Sequence, residues 1–154
     1  MSDITRIKQR IKTLNLVYWV QGVFQVIIGT VVYFRITGKP DYTTAIFFQK
    51  VLLTTVPILM GTGYFLYRYQ IGKLDTKLSL EEKVQRYVMF ILVRTAFFEV
   101  AFLFCCISAL QTNVQLFLWI APVPFLLFLL LRPNPGDMKI DLRLTEAEAN
   151  HLEQ

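Results

Sequence analysis

Residues that carry chemistry are scarce in this chain: one histidine, two cysteines and eleven acids among 154 residues. The histidine, His151, stands in the C-terminal tail without neighbouring ligand types, so no Ser-His-Asp set is available. Cys105 and Cys106 are adjacent. That spacing excludes an ordinary disulfide, and no second pair exists for a metal site, so apolar packing is their expected role. A glycine-rich phosphate loop and an HExxH motif are both missing. The chain is therefore expected to be no enzyme, with no cofactor and no metal.

Charge is the next shortage. Only 18% of the residues are charged, against about a quarter in a water-soluble domain. The charges are clustered, and 55% of the chain is hydrophobic. That distribution makes lipid the expected solvent. The net charge of +5 fits basic residues gathered beside membrane spans better than a nucleic-acid surface, which needs base-edge and phosphate contacts. No nucleic-acid partner is expected; membrane lipids are.

Four apolar runs follow one another, at residues 16–34, 45–67, 87–110 and 114–131. Each is near the roughly 20 residues that cross the hydrocarbon as a helix, and helix is required because lipid offers the backbone no partners. The first run is too long for a signal-peptide core and lacks a small-x-small cleavage site, which predicts a retained anchor. Lys50 lies near the end of the second run, where it can snorkel. Short turns at residues 38–41 and 111–113 imply antiparallel hairpins. The expected fold is an all-α four-helix transmembrane bundle in one membrane domain. It has an amphipathic arm (1–15), a linker (68–86) and a tail (132–154).

Orientation follows from the basic residues. Twelve lie in the arm, linker and tail, namely Arg6, Lys8, Arg10, Lys12, Arg68, Lys73, Lys77, Lys83, Arg86, Arg132, Lys139 and Arg143. Arg35, Lys39 and Lys50 are the only ones expected on the other side. The positive-inside rule then predicts both termini in the cytoplasm and a bacterial inner-membrane location. Tyr18, Trp19, Tyr67, Tyr69 and Tyr87 fall near the inner interface, where amphipathic rings settle. In the arm, Ile4, Ile7, Ile11 and Leu14 share one helical face, which predicts an interfacial helix touching anionic lipid. The tail acids Glu146, Glu148 and Glu153 are placed to lie against that basic arm.

An internal duplication is also visible. Lys73-Leu74-Asp75-Thr76-Lys77-Leu78-Ser79 matches Lys139-Ile140-Asp141-Leu142-Arg143-Leu144-Thr145 as Lys, aliphatic, Asp, any, basic, Leu, hydroxyl. Glu82 and Glu148 stand three residues past the hydroxyls, which predicts two capping boxes. Pro57 and Pro122 occupy similar places in spans two and four, and with Pro124 they predict helix kinks. Two hairpins that each begin and end inside would be parallel repeats about an axis along the membrane normal.

Within the spans, polar residues are few. Glu99 is near the middle of span three, where a charge costs at least about 2.5–3.5 kcal/mol. Arg94 is five residues away, roughly 140° around the helix, so a bridge within the helix is not expected. Gln21 and Gln25 share a face of span one at mid-depth, and the repeat places one of them opposite Glu99. The candidate site is thus an intramembrane polar cluster of Glu99, Arg94, Gln21 and Gln25. Thr54, Thr55 and Thr62 add hydroxyls on span two. Gly22, Gly29, Gly61 and Gly63 are expected to serve helix packing.

Two functions are open to such a chain. One is an accessory or assembly subunit of a membrane complex, or a homo-oligomer, with the cluster holding helices together. The other is a small proton-coupled transporter or channel using Glu99. The segments Arg94-Thr95-Ala96-Phe97-Phe98-Glu99 and Leu131-Arg132-Pro133, with Lys139 to Leu144, resemble small four-span bacterial inner-membrane proteins of Bacteroidetes-type genomes. That resemblance implies four spans and brings no activity with it. Val100 stands where the group's pattern has glycine after the acid.

Overall fold

The computed structural model describes residues 3–75, 78–146 and 148. Thr76, Lys77, His151 and Glu153, which the sequence reading used, lie outside the described residues. Those described form six helices and no strand. They are α1 (Asp3–Arg35), α2 (Tyr42–Gly72), α3 (Leu80–Thr112), α4 (Leu116–Ile120), α5 (Pro122–Leu130) and α6 (Pro135–Asp141). The first three are long and apolar enough to cross a membrane. Together α4 and α5 make a shorter apolar piece, Leu116–Leu130.

The ends of these helices follow local chemistry. Asp41 caps α2, its Oδ1 accepting from the backbone N–H groups of Thr43 and Thr44 at 3.1 Å each. Ser79 caps α3 in a full capping box with Glu82. Thr145 and Glu148 repeat that pattern: the Thr145 N–H donates to Glu148 Oε2 at 2.9 Å, and the Glu148 N–H donates to Thr145 Oγ1 at 3.3 Å. Both capping boxes read from the sequence are therefore present. Asn113 ends α3 in the left-handed region at φ 53°, which Asn tolerates better than most residues.

Arm and first span are not separate pieces. They form one helix of 33 residues, about 50 Å long at 1.5 Å per residue. Nothing between Leu14 and Leu16 breaks the helix, and Ile7 and Leu14 are buried. They pack with Val84, Tyr87 and Ile91 of α3 and with Met138 of α6. So at Ile7 and Leu14 the apolar face of the arm, expected to rest on lipid, is covered by protein. The end of the linker, from Leu80, runs unbroken into span three.

The prolines divide. Pro57 sits inside α2 without interrupting it. At Pro122 the helix breaks, with Ala121 between α4 and α5. Pro122 and Pro124 each remove a backbone donor within one turn, whereas Pro57 removes only one.

Helix α3 is the hub. It packs on α1, α2, α4 and α5, while α1 and α2 make no extensive contact with each other. Within the most apolar stretch, 44% of α3 is buried, against 22% of α1 and 17% of α2. Small residues bring its neighbours close: Ala101, Cys105 and Ala109 are fully buried at one-turn intervals. The cysteines are thus core packing. Gly63 of α2 marks the tightest approach, since a Cβ there would lie 2.7 Å from Phe97 Cβ. Gly22 and Gly29 give Phe128 and Phe102 room at ordinary contact distance, while Gly61 faces open space.

One end of the bundle carries the arm, the α2–α3 connection and α6; it is called the basic end below. At the opposite end, the Asp41 N–H donates to the Thr112 carbonyl at 2.8 Å and ties the two short turns together.

Candidate functional site

Midway along α1 and α3, Gln21 Nε2 donates to Glu99 Oε2 at 3.2 Å. This is the cross-helix pairing that the sequence allowed. Both residues are only half-buried, so the pair lies at the edge of the α1–α3 contact. One turn further, Gln25 is 1% exposed, and neither of its amide atoms has a partner among the described residues. An unsatisfied buried amide costs about 1–3 kcal/mol. Gln25 borders a cavity of about 220 Å³ with Gly29, Phe102, Ala121, Pro122 and Phe125.

Arg94 does not join that pair. Its guanidinium turns toward the basic end, where Nη2 donates to the Leu131 carbonyl. Its plane sits over the Tyr67 ring, 4.3 Å from the centroid. Arg94 is nonetheless buried, at 5% exposure, and its Nε has no partner among the described residues. The expected four-residue cluster is therefore two sites, Glu99 with Gln21 and Gln25 nearby, and Arg94 apart. On span two, Thr54 adds nothing to either: its Oγ1 donates back to the Lys50 carbonyl at 3.0 Å.

Three of the five rings assigned to the interface point inward instead. Tyr18, Tyr67 and Tyr87 are buried, while Trp19 and Tyr69 are half-exposed. Tyr18 stacks on Phe128 with ring centroids 4.2 Å apart, and its hydroxyl has no partner among the described residues. Along α1, Tyr18, Gln21 and Gln25 recur at helical spacing, so they share one face. The Tyr67 hydroxyl donates to Asp141 of α6, and Arg68 lies 3.6 Å from the same carboxylate. A sequence reading could have found Tyr67–Asp141 only by placing α6 beneath α2, which no periodicity indicates.

Lys83 was missed as well. It is 4% exposed, and its Nζ lies 2.9 Å from Glu148 Oε1. The tail acid thus reaches the first turn of α3 instead of the arm; the arm's Arg10 pairs with Glu81 at 3.5 Å. The Thr145 N–H and the Lys83 ammonium hold the Glu148 carboxyl below the ordinary glutamate value. Its second capping-box role made Glu148 legible; its ion pair was not.

Among the described residues, no group of three or more His, Cys, Asp or Glu could hold a metal ion. No protein-family model, curated protein or solved structure matches the chain.

Proposed function

We propose that this chain is a non-enzymatic, multi-pass protein of a bacterial cytoplasmic membrane that acts by association, as an accessory or assembly subunit. On this reading α1, α2, α3 and the α4–α5 pair cross the bilayer, with the basic end in the cytoplasm. The twelve-to-three division of basic residues supports that orientation, and the matching capping boxes support two hairpins copied from one unit. The observation that carries the reading is the Gln21–Glu99 pair. It sits at mid-span, half-buried, on an apolar surface left largely open by α1 and α2. A carboxyl facing hydrocarbon is costly, and a neighbouring span that covers it relieves that cost with interhelical hydrogen bonds of about 0.6–2 kcal/mol each. A second copy of the chain would serve as well as a different subunit.

Detergent extraction of the full chain, followed by mass spectrometry, tests this reading. A stoichiometric protein partner, or a defined homo-oligomer, is expected, and Glu99→Leu should release it. A monodisperse monomer in mild detergent, unchanged by Glu99→Leu, would sink the proposal. The shared face of Tyr18, Gln21 and Gln25 favours a second reading, proton movement through Glu99. There, Glu99→Gln leaves the protein assembled but abolishes proton-linked flux in vesicles.

A further inference from the structure

At the basic end lies a cavity of about 260 Å³, walled by Arg68, Arg94, Arg132, Tyr67, Asp137 and Asp141. Three guanidiniums thus face two carboxylates, and both carboxylates already have partners. Asp141 is taken by the Tyr67 hydroxyl and Arg68. Asp137 accepts from Asn134 Nδ2 at 2.7 Å, in the cap that starts α6. Arg94 and Arg132 are left over: among the described residues neither lies within ion-pair reach of an acid. For exposed Arg132 that is unremarkable. For Arg94, almost wholly buried, it is not, because buried charges are paired as a rule.

Both guanidinium planes are held in place by rings. Arg94 rests on Tyr67 at 4.3 Å and Arg132 on Trp19 at 5.0 Å from the ring centroids. A planar, fixed guanidinium matches the oxygen pairs of a phosphate, and two of them make a clamp. The rim of the cavity is different in character. Leu130 and Ile140 border it while 78% and 75% exposed, giving it an apolar lip. A free inorganic ion has no use for such a lip; a phosphate attached to acyl chains does.

We infer that this cavity binds the phosphate of an anionic membrane lipid, with Arg94 and Arg132 as its clamp and Leu130 and Ile140 against its chains. The excess of one positive charge selects an anionic headgroup over a zwitterionic one. The site rests on the chain being in a membrane, and not on its having a protein partner.

Native mass spectrometry of the full chain in an uncharged detergent tests the inference, with phosphatidylglycerol, phosphatidylcholine and inorganic phosphate as probes. One phosphatidylglycerol per chain is expected, held at least tenfold more tightly than phosphatidylcholine. Arg132→Gln and Arg94→Lys should each weaken it about tenfold, the loss of one charge-assisted contact, whereas Arg35→Gln at the opposite end should not. Arg132 is exposed, so its variant keeps the test decisive even where Arg94→Lys disturbs folding. Equal retention of both lipids, or phosphatidylglycerol binding that ignores Arg132→Gln, overturns the inference. Displacement of the lipid by millimolar inorganic phosphate overturns the lipid assignment in favour of a soluble phosphate compound.

Discussion

Replacing Gly63 by alanine should loosen the α2–α3 contact, and the geometry says by how much. The added Cβ would stand 2.7 Å from Phe97 Cβ and 3.3 Å from the Arg94 carbonyl oxygen. Carbon atoms rest about 3.5–4.0 Å apart, so the two helices must separate by about 1 Å. A gap of that size forfeits about a quarter to a half of each dispersion contact it opens, and α2–α3 is the most extensive helix pair in the fold. Overpacking of this kind costs about 1–3 kcal/mol, offset by up to about 1 kcal/mol from alanine's better helix propensity. Gly63→Ala is therefore expected to destabilise by about 1–2 kcal/mol. Two residues away on the same helix, Gly61 has no atom within 4 Å of the position of an added Cβ, so Gly61→Ala should be neutral or mildly stabilising. Reversible unfolding in mixed micelles reads both. The buried thiols of Cys105 and Cys106 supply a second readout, because maleimide should label them faster in Gly63→Ala only. Equal shifts of the two variants in one direction would refute the close-approach argument.

Other expectations follow from the same geometry. Gln25→Leu removes two unpartnered amide atoms at constant bulk and should raise the thermal midpoint, by about 1 kcal/mol of stability; a fall would show that the amide is satisfied in the membrane. Ser79→Ala removes the cap of α3 and should cost about 0.5–2 kcal/mol, measured by the same unfolding titration. Glu148 has a lowered carboxyl pKa, so its contribution is full above the value of the unfolded chain and is lost as pH falls through the folded value. Limited proteolysis should accordingly cut the tail faster below the ordinary glutamate range. A Lys83→Met variant should bring that sensitivity to neutral pH, and cutting independent of both would refute the Lys83–Glu148 tether.

Helix identity was legible because hydrocarbon-length apolar runs and S/T-x-x-E signatures act locally. The Ser79–Glu82 and Thr145–Glu148 boxes need only four consecutive residues. The Gln21–Glu99 pair was half legible, since depth along a span can be counted but the rotation of one helix against another cannot. Arg94 falls into one polar cluster with Glu99 in the sequence because both are rare charges in one run. Its true surroundings depend on α6 folding back under α2, a choice made by Met138 and Leu142 finding a covered site. The arm was misplaced for a related reason. An amphipathic face reports that something apolar covers it, and whether lipid or protein does so depends on helices that are remote in sequence.

Because α3 holds the bundle together, synthesis order matters to this chain. The ribosome delivers α1 and α2 first, and neither has much to pack against until their common neighbour follows. Between Gly72 and Thr112 the elongating chain needs about 2–8 s at 5–20 residues per second. On the proposed membrane reading, Gln21, the amide partner of Glu99, waits in the bilayer uncovered for that interval. Two early helices standing apart are substrates for whatever insertion machinery or quality-control protease surveys unpaired polar spans.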